Sequence, residues 1–109
     1  MFEVRQTAEF SGWLAALADR SARAAILTRL GRLALGNPGD VRPVGAGVSE
    51  LRIHIGPGYR LYYMRAGERV YLILGGGDKG SQEADIRRAI EMANALRATT
   101  RSKQARKRK

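Results

Sequence analysis

The side chains best suited to chemistry lie on two neighbouring strand-like runs. Side chains alternate across a β-strand, so the run 50–55 sends Arg52 and His54 to one face, and the next run sends Arg60 and Tyr62 to one face. We expect these four side chains to collect on the open face of a sheet. Guanidinium groups bind phosphates in a bidentate fork and an aromatic ring can stack on an unpaired base, so this face suits RNA. A solvated antiparallel sheet also shows charges on its open face, and that alternative remains.

A glycine-rich turn follows the third strand-like run. Residues 75–80 read Gly-Gly-Gly-Asp-Lys-Gly, which ends in Asp78, Lys79 and Gly80. Glycines let the backbone approach a ligand closely, and the N-terminus of a following helix favours an anion. The spacing of a P-loop is absent. The turn is therefore either part of a phosphate site or a flexible connection with a surface lysine.

The composition excludes several kinds of site. With one histidine and no cysteine, the chain cannot form a zinc site of the usual kind, and its acids are too scattered for a two-metal cluster. No Gly-x-Ser-x-Gly segment is present. A lone histidine such as His54 is more often a residue of the sheet surface than a base.

An α+β arrangement is predicted to position these residues. The order of elements is a short strand, two helices, three or four strands and a last helix at Ser81–Arg97. Thr7 is a candidate N-cap, and a break near residues 19–21 offers a second cap. Pro43 marks an edge strand or its margin because it lacks an N–H group. The sequence predicts a small, curved, antiparallel sheet with a mixed edge, packed on an N-terminal helical hairpin and a C-terminal helix, with its other face open.

The charge is concentrated near the C-terminus. Lys and Arg number 20 against 10 Asp and Glu, a net charge of +10, which indicates a polyanionic partner. Residues 98–109 hold six of these cations and no acid, so +4 remains for residues 1–97. We expect residues 1–97 to form the single domain and residues 98–109 to be a disordered basic tail that adds solubility or affinity for phosphate backbones.

The chain contains no sign of a membrane or secretory protein. No apolar run approaches the roughly 18–20 residues that span a bilayer. The start of the chain lacks a basic region followed by an apolar core, and cysteine is absent. A cytoplasmic location without membrane contact is the expectation.

Four short motifs in order give the chain a family likeness. They are Glu-Leu-Arg at 50–52, Gly-Tyr-Arg-Leu-Tyr-Tyr at 58–63, Leu-Gly-Gly-Gly-Asp-Lys at 74–79 and Gln-x-x-Asp-Ile-x-x-Ala at 82–89. Over about residues 2–97 the chain resembles the addiction-module killer proteins, the phage Gp49-like or HigB-like branch of the RelE/ParE toxin superfamily. The predicted order of elements is similar to the compact RelE-like fold.

The resemblance implies a toxin of a type II toxin–antitoxin system. Most such toxins are ribosome-dependent mRNA endoribonucleases in which the 2′-hydroxyl of the RNA attacks the adjacent phosphate, so neither a metal nor another cofactor is needed. By position in the motifs, Arg60, Arg52 and Lys79 are the implied catalytic cations. His54, Tyr62 and Asp78 are the implied RNA contacts.

The resemblance leaves the general base and the target open. Many relatives place a Tyr or His in or near the last helix, and this chain has neither there. The candidates for the base are His54, Tyr62, Asp78 and Lys79. The ParE branch inhibits DNA gyrase, so a gyrase inhibitor and a non-enzymatic basic binding module are the alternatives to the nuclease.

The implied partners are a cognate antitoxin, the ribosome and mRNA. The antitoxin is expected to be a helix-turn-helix, HigA-like protein, and DNA is expected to be met only through the antitoxin complex. We expect its toxin-binding region to interleave acidic with apolar residues, since the toxin is basic.

Overall fold

A five-stranded sheet forms the centre of the computed structural model, which describes the backbone of residues 1–107 and side chains as far as Arg101. The strands occur in the spatial order β1-β5-β4-β3-β2. β1 is parallel to β5 and the other pairs are antiparallel, which confirms the predicted α+β class and its mixed edge. Their bounds are β1 Glu3–Gln6, β2 Val41–Gly45, β3 Val48–Ile53, β4 Tyr59–Gly67 and β5 Val70–Asp78.

Three helices accompany the sheet: α1 Ala8–Ala16, α2 Arg20–Ala34 and α3 Gln82–Lys107, the last preceded by the 3₁₀ turn Lys79–Ser81. The N-cap predicted at Thr7 is confirmed, because Thr7 accepts from the N–H of Phe10. Within the break predicted at residues 19–21, the cap of α2 is Asp19, which accepts from the N–H of Ala22. α2 ends in a Schellman motif at Gly36, which has φ +85°. Pro43 lies in β2, the edge strand, as predicted.

The face of the sheet under α1 and α2 carries the larger apolar cluster. Phe10 and Leu14 of α1 and Ile26, Leu30 and Leu33 of α2 are buried there. The sheet contributes alternate residues of β3, β4 and β5, as strand parity requires. These residues are Leu51, Ile53, Tyr59, Leu61, Tyr63 and Ile73.

The opposite face is covered by α3, so the prediction of an open face is wrong. Val48, Met64 and Leu74 are buried there against Ala89 and Ala93 of α3. Both faces are apolar at the middle of the sheet, and the apolar stripe of α3 requires an apolar partner. Alanine at the contact lets the helix lie close to the strands.

α3 passes the boundary predicted at residue 97 and continues to Lys107. The prediction of disorder from residue 98 differs from the structure over residues 98–107, and the last two residues lie outside the described part. Alanine, lysine, arginine and glutamine favour helix, and cations near a helix C-terminus interact favourably with its dipole. No helix in the described part of the chain is both long and apolar enough to cross a membrane.

Candidate functional site

Two arginines on adjacent strands and a lysine just beyond a third strand lie at one end of the sheet. Arg52 of β3 lies directly opposite Arg60 of β4, and Arg60 lies opposite Gly77 of β5. Lys79 follows β5 at the same end of the sheet. Directly opposed residues on antiparallel strands have Cα atoms about 5 Å apart, so the two guanidinium groups extend side by side from one face. Like charges placed in this way repel each other unless each has its own counter-ion.

Glu50 is the counter-ion of Arg60. Its side chain has no exposed surface, and one oxygen, Oε1, accepts from Arg42 Nε at 2.9 Å and from Arg60 Nη1 at 3.1 Å. The other oxygen, Oε2, accepts from the Tyr62 hydroxyl at 3.2 Å and from Gln82 Nε2 at 3.1 Å. The buried carboxylate therefore ties β2, β4 and the first turn of α3 to β3.

Two pKa shifts follow from this arrangement. Burial alone raises the pKa of the Glu50 carboxyl, but the hydrogen bonds from Arg42 and Gln82 and the charges of Arg42 and Arg60 outweigh it, so the pKa lies below its usual value. Burial, and then the negative charge of Glu50, raises the pKa of the Tyr62 hydroxyl well above its usual value. At neutral pH the carboxyl is ionised and the phenol is protonated.

The prediction that Tyr62 is exposed is wrong. Only 1% of the residue is exposed, because α3 covers this part of the face. Its ring cannot stack on a base, and its protonated hydroxyl is a hydrogen-bond donor to Glu50 rather than a general base. Tyr62 is a structural residue of the Glu50 network.

Asp40 is the counter-ion of Arg52 and also holds His54. Arg52 Nη2 donates to Asp40 Oδ1 at 3.0 Å, and His54 Nε2 donates to Asp40 Oδ2 at 2.5 Å. The hydrogen bond from His54, and next that from Arg52, lowers the pKa of the Asp40 carboxyl. The side chain of His54 is 72% exposed. A neutral ring that donates through Nε2 has Nδ1 as its acceptor, so His54 presents a potential proton acceptor beside Arg52.

Both arginines of the row retain hydrogen-bonding capacity. The Nε atoms of Arg52 and Arg60 are buried without a hydrogen-bond partner among the described residues. The side chain of Arg60 is only 13% exposed, whereas that of Arg52 is 34% exposed. Arg29 of α2 donates to the carbonyl oxygen of Arg52 at 2.8 Å and fixes the end of β3 from the hairpin side.

The turn after β5 brings Lys79 to the surface. Asp78 accepts from the N–H of Gly80 at 2.8 Å and so caps the 3₁₀ turn. Lys79 is exposed and has no ion pair within the described part of the chain. Lys79 thus shares the end of the sheet with the row of arginines, outside both carboxylate networks.

Side chains of neighbouring elements pack directly against the glycines of β5. A Cβ atom on Gly76 would overlap the indole ring of Trp13, and one on Gly77 would overlap the carboxylate of Asp85. The expectation that this strand end is open to a ligand is therefore wrong for these two glycines. They allow α1 and the first turn of α3 to lie close to the strand.

Sequence reasoning missed the roles of Asp40, Glu50 and Gln82. Strand parity placed Glu50 on the face of Arg52 and Arg60, and an acid among arginines on one face is the signal for a buried ion pair. No local signal identifies Asp40, since its contact depends on the edge pairing of β2. No three His, Cys, Asp or Glu side chains of the described residues are grouped so that they could hold a metal ion.

Comparison with known proteins now gives the family. Residues 12–98 match the family described as phage-derived protein Gp49-like. The chain belongs to the Gp49-like family. The resemblance inferred from the four motifs is thereby confirmed, and it groups the protein with the RelE-like addiction-module killer toxins, whose partners are antitoxins.

A relative of this Gp49-like protein occurs in Haemophilus influenzae. The two are 39% identical over 94 residues, which cover 86% of this chain and 95% of the relative. The relative is described only as an uncharacterized protein. Its description adds no information on activity.

Proposed function

We propose that this Gp49-like toxin is a metal-independent endoribonuclease that cleaves mRNA on the ribosome and so inhibits translation. The supporting observation is the placement of Arg52, Arg60 and the His54–Asp40 pair at one end of the sheet. Two guanidinium groups beside a held imidazole offer what RNA transesterification needs, namely charge stabilisation at phosphorus and a proton acceptor.

The proposed reaction uses the 2′-hydroxyl of the RNA as nucleophile. His54 accepts the proton of this hydroxyl at Nδ1 while the 2′-oxygen forms a bond to phosphorus. The bond between phosphorus and the 5′-oxygen breaks, and Lys79 donates a proton to that leaving oxygen. The products are a 2′,3′-cyclic phosphate and a free 5′-hydroxyl, so no water and no cofactor enter this step.

Arg52 and Arg60 are proposed to stabilise the charge that grows on the phosphoryl oxygens. Asp40 and Glu50 hold the two guanidinium groups before the substrate binds, so little reorganisation accompanies the reaction. The exposed part of the Arg52 side chain is available to the phosphate, whereas the Nε atoms of both arginines are buried. Asp78 shapes the turn that carries Lys79 and thereby contributes indirectly to RNA binding.

The partners in this proposal are the ribosome, mRNA and an antitoxin. We take the antitoxin to be a helix-turn-helix, HigA-like protein, through which alone the toxin is brought to DNA. An mRNA substrate implies activity in the cytoplasm. Residues 98–109 add six cations and are proposed to increase affinity for ribosomal RNA.

The variant His54→Gln tests the proposal most directly. Glutamine keeps a donor for Asp40 but cannot accept the proton, and loss of a general base costs roughly 10²–10⁴-fold in rate. The assay maps mRNA 5′ ends and the cleavage rate on purified translating ribosomes. Arg69→Gln is the matched control, because Arg69 is an exposed residue of the turn at the opposite end of the sheet. The control should cleave at the wild-type rate.

Two outcomes would overturn the proposal. If His54→Gln cleaves as fast as the wild type while folded, His54 is not the base. If induction arrests growth with intact mRNA and a DNA-damage response, gyrase is the target instead. A reporter mRNA whose translation is blocked separates ribosome-dependent cleavage from cleavage of free RNA.

A further inference from the structure

A groove lies between the second half of α3 and the ends of β4 and β5 remote from the arginine row. Its floor is aliphatic and is formed by Met64 of β4, Leu72 of β5 and Leu96 of α3. The groove encloses about 400 Å³. Leu96 is 39% exposed, which is unusual for a large apolar residue beside a core. The floor is suited to apolar side chains of a partner.

The rim of this groove carries charge of one sign. Arg97 and Arg101 of α3 lie beside the aliphatic floor. Arg65 of β4 also lines the groove, but its guanidinium group lies over Phe2 on the hairpin side of the sheet, and no acidic residue of the described chain lines the groove. Arg97 and Arg101 are four residues apart on the helix and therefore lie on the same side of it. A ligand of this groove must be apolar at its centre and anionic at its edge.

The guanidinium groups of Arg65 and Arg97 each lie against another part of the protein. Arg65 lies over the ring of Phe2, 5.5 Å from its centroid, and donates to the carbonyl oxygen of Glu68. Arg97 lies against the turn at Gly47, where a Cβ atom would overlap its Nη2 atom.

The floor distinguishes a peptide from RNA. RNA binds protein through phosphate contacts and through stacking on flat aromatic or guanidinium surfaces, and it has no aliphatic groups to fill an aliphatic floor. Among the described residues, the lining of the groove contains no aromatic ring. An amphipathic helix can place leucine-like side chains on the floor and carboxylates against the arginines.

We propose that this groove binds an acidic amphipathic helical segment of the antitoxin. The proposal rests on the antitoxin partner that family membership implies and is independent of the proposed nuclease chemistry. Met64 is four residues from Arg60 along β4, or about 13 Å. A segment in the groove therefore makes its contacts outside the arginine row.

Selective labelling of methionine methyl groups gives a direct test. The chain has three methionines, at positions 1, 64 and 92, so the spectrum is simple. The probe is a synthetic 18-residue amphipathic helix, about the length of five turns, with leucines on one stripe and glutamates flanking it. We expect the Met64 signal to shift on addition of this peptide while the Met1 signal stays unchanged. The same peptide with lysine in place of glutamate should not bind.

Charge reversal at the rim supplies the matched comparison. The double variant Arg97→Glu/Arg101→Glu should weaken peptide binding by about tenfold or more, since two attractive pairs become repulsive. Arg20→Glu/Arg32→Glu makes the same change in net charge on the exposed surface of α2 and should have little effect. Circular dichroism and a thermal melt establish that both variants are folded.

Three results would overturn the groove assignment. They are a Met64 signal that does not move, equal weakening by the two double variants, and an oligouridine RNA that shifts Met64 as strongly as the peptide. The nuclease proposal is judged separately by cleavage on ribosomes. If wild-type protein binds the peptide but cuts no mRNA, the groove stands and the proposed function fails.

Discussion

The face of the sheet under α1 and α2 and the face under α3 bury their residues by different means. The first is filled by aliphatic and aromatic side chains that interdigitate. The second has a smaller apolar cluster at its middle and, beside it, a carboxylate with four donors. Hydrophobic burial is non-directional, whereas a buried ion network requires each partner at a set position. The face under α1 and α2 is therefore stabilised by packing that does not depend on direction, whereas the face under α3 is stabilised by contacts that require a fixed geometry.

Substitution of Glu50 should reveal the largest difference between the faces. Glu50→Gln leaves Arg42 and Arg60 without their shared negative charge, and removing one partner of a buried pair costs about 3–5 kcal/mol. Urea denaturation at pH 7 measures the change in the free energy of unfolding. Glu91→Gln is the control, because Glu91 is an exposed acid of α3 and should change stability by less than about 0.5 kcal/mol. Equal values for the two variants would contradict the role given to Glu50.

The pH dependence of stability should also differ between the faces. The folded-state pKa of Glu50 is depressed, so its contribution is present above the reference value of 4.5 and is lost as pH falls through the lower folded pKa. The gap between wild type and Glu50→Gln should therefore shrink as pH falls below that value. Leu61→Ala leaves a cavity in the apolar face. The difference in the free energy of unfolding between wild type and this variant should stay near its neutral-pH value of about 2–5 kcal/mol. If the loss of stability became smaller by the same amount in both variants as pH falls, the proposed difference between the two faces would be wrong.

Two neighbouring glycines allow a finer comparison. Gly76→Ala drives a methyl group into the indole ring of Trp13 and should cost about 1–3 kcal/mol by overpacking. Gly77→Ala meets the carboxylate of Asp85 and the hydroxyl of Ser81, which can rotate away, so a smaller cost is expected. Thermal unfolding of the two variants shows which substitution lowers the stability more. The reverse order would show that the first turn of α3 is held more rigidly than α1.

Removal of residues 102–109 should have the smallest effect on stability. The segment contains five cations and begins after Arg101, the last of the described side chains that line the groove. We expect the truncation to change the free energy of unfolding by less than about 0.5 kcal/mol. Binding to single-stranded RNA should weaken, and its salt dependence should become shallower by about 0.7 in slope for each phosphate that is no longer neutralised. Fluorescence anisotropy across a salt series measures the affinity and the slope. An unchanged slope would contradict the role proposed for these cations.

The local elements were predictable because their signals are local. The N-caps at Thr7 and Asp19, the glycine stop after α2 and the edge position of Pro43 each depend on a few adjacent residues. Strand parity correctly paired Arg52 with Arg60 on one face. The role of Tyr62 was predicted wrongly because its exposure depends on where α3 lies, and α3 begins at Gln82, 20 residues further along the chain.

The sequence by itself determined the order of elements, the alternation of side chains, the excess of positive charge and the four motifs that identify the family. Only the tertiary structure decided which face is covered, which carboxylate neutralises which arginine, and where an apolar groove remains. The physical reason is the distance along the sequence over which each interaction acts. Capping and periodicity act over a few residues, whereas burial and ion pairing depend on contacts such as Gln82 with Glu50, which are 32 residues apart in sequence.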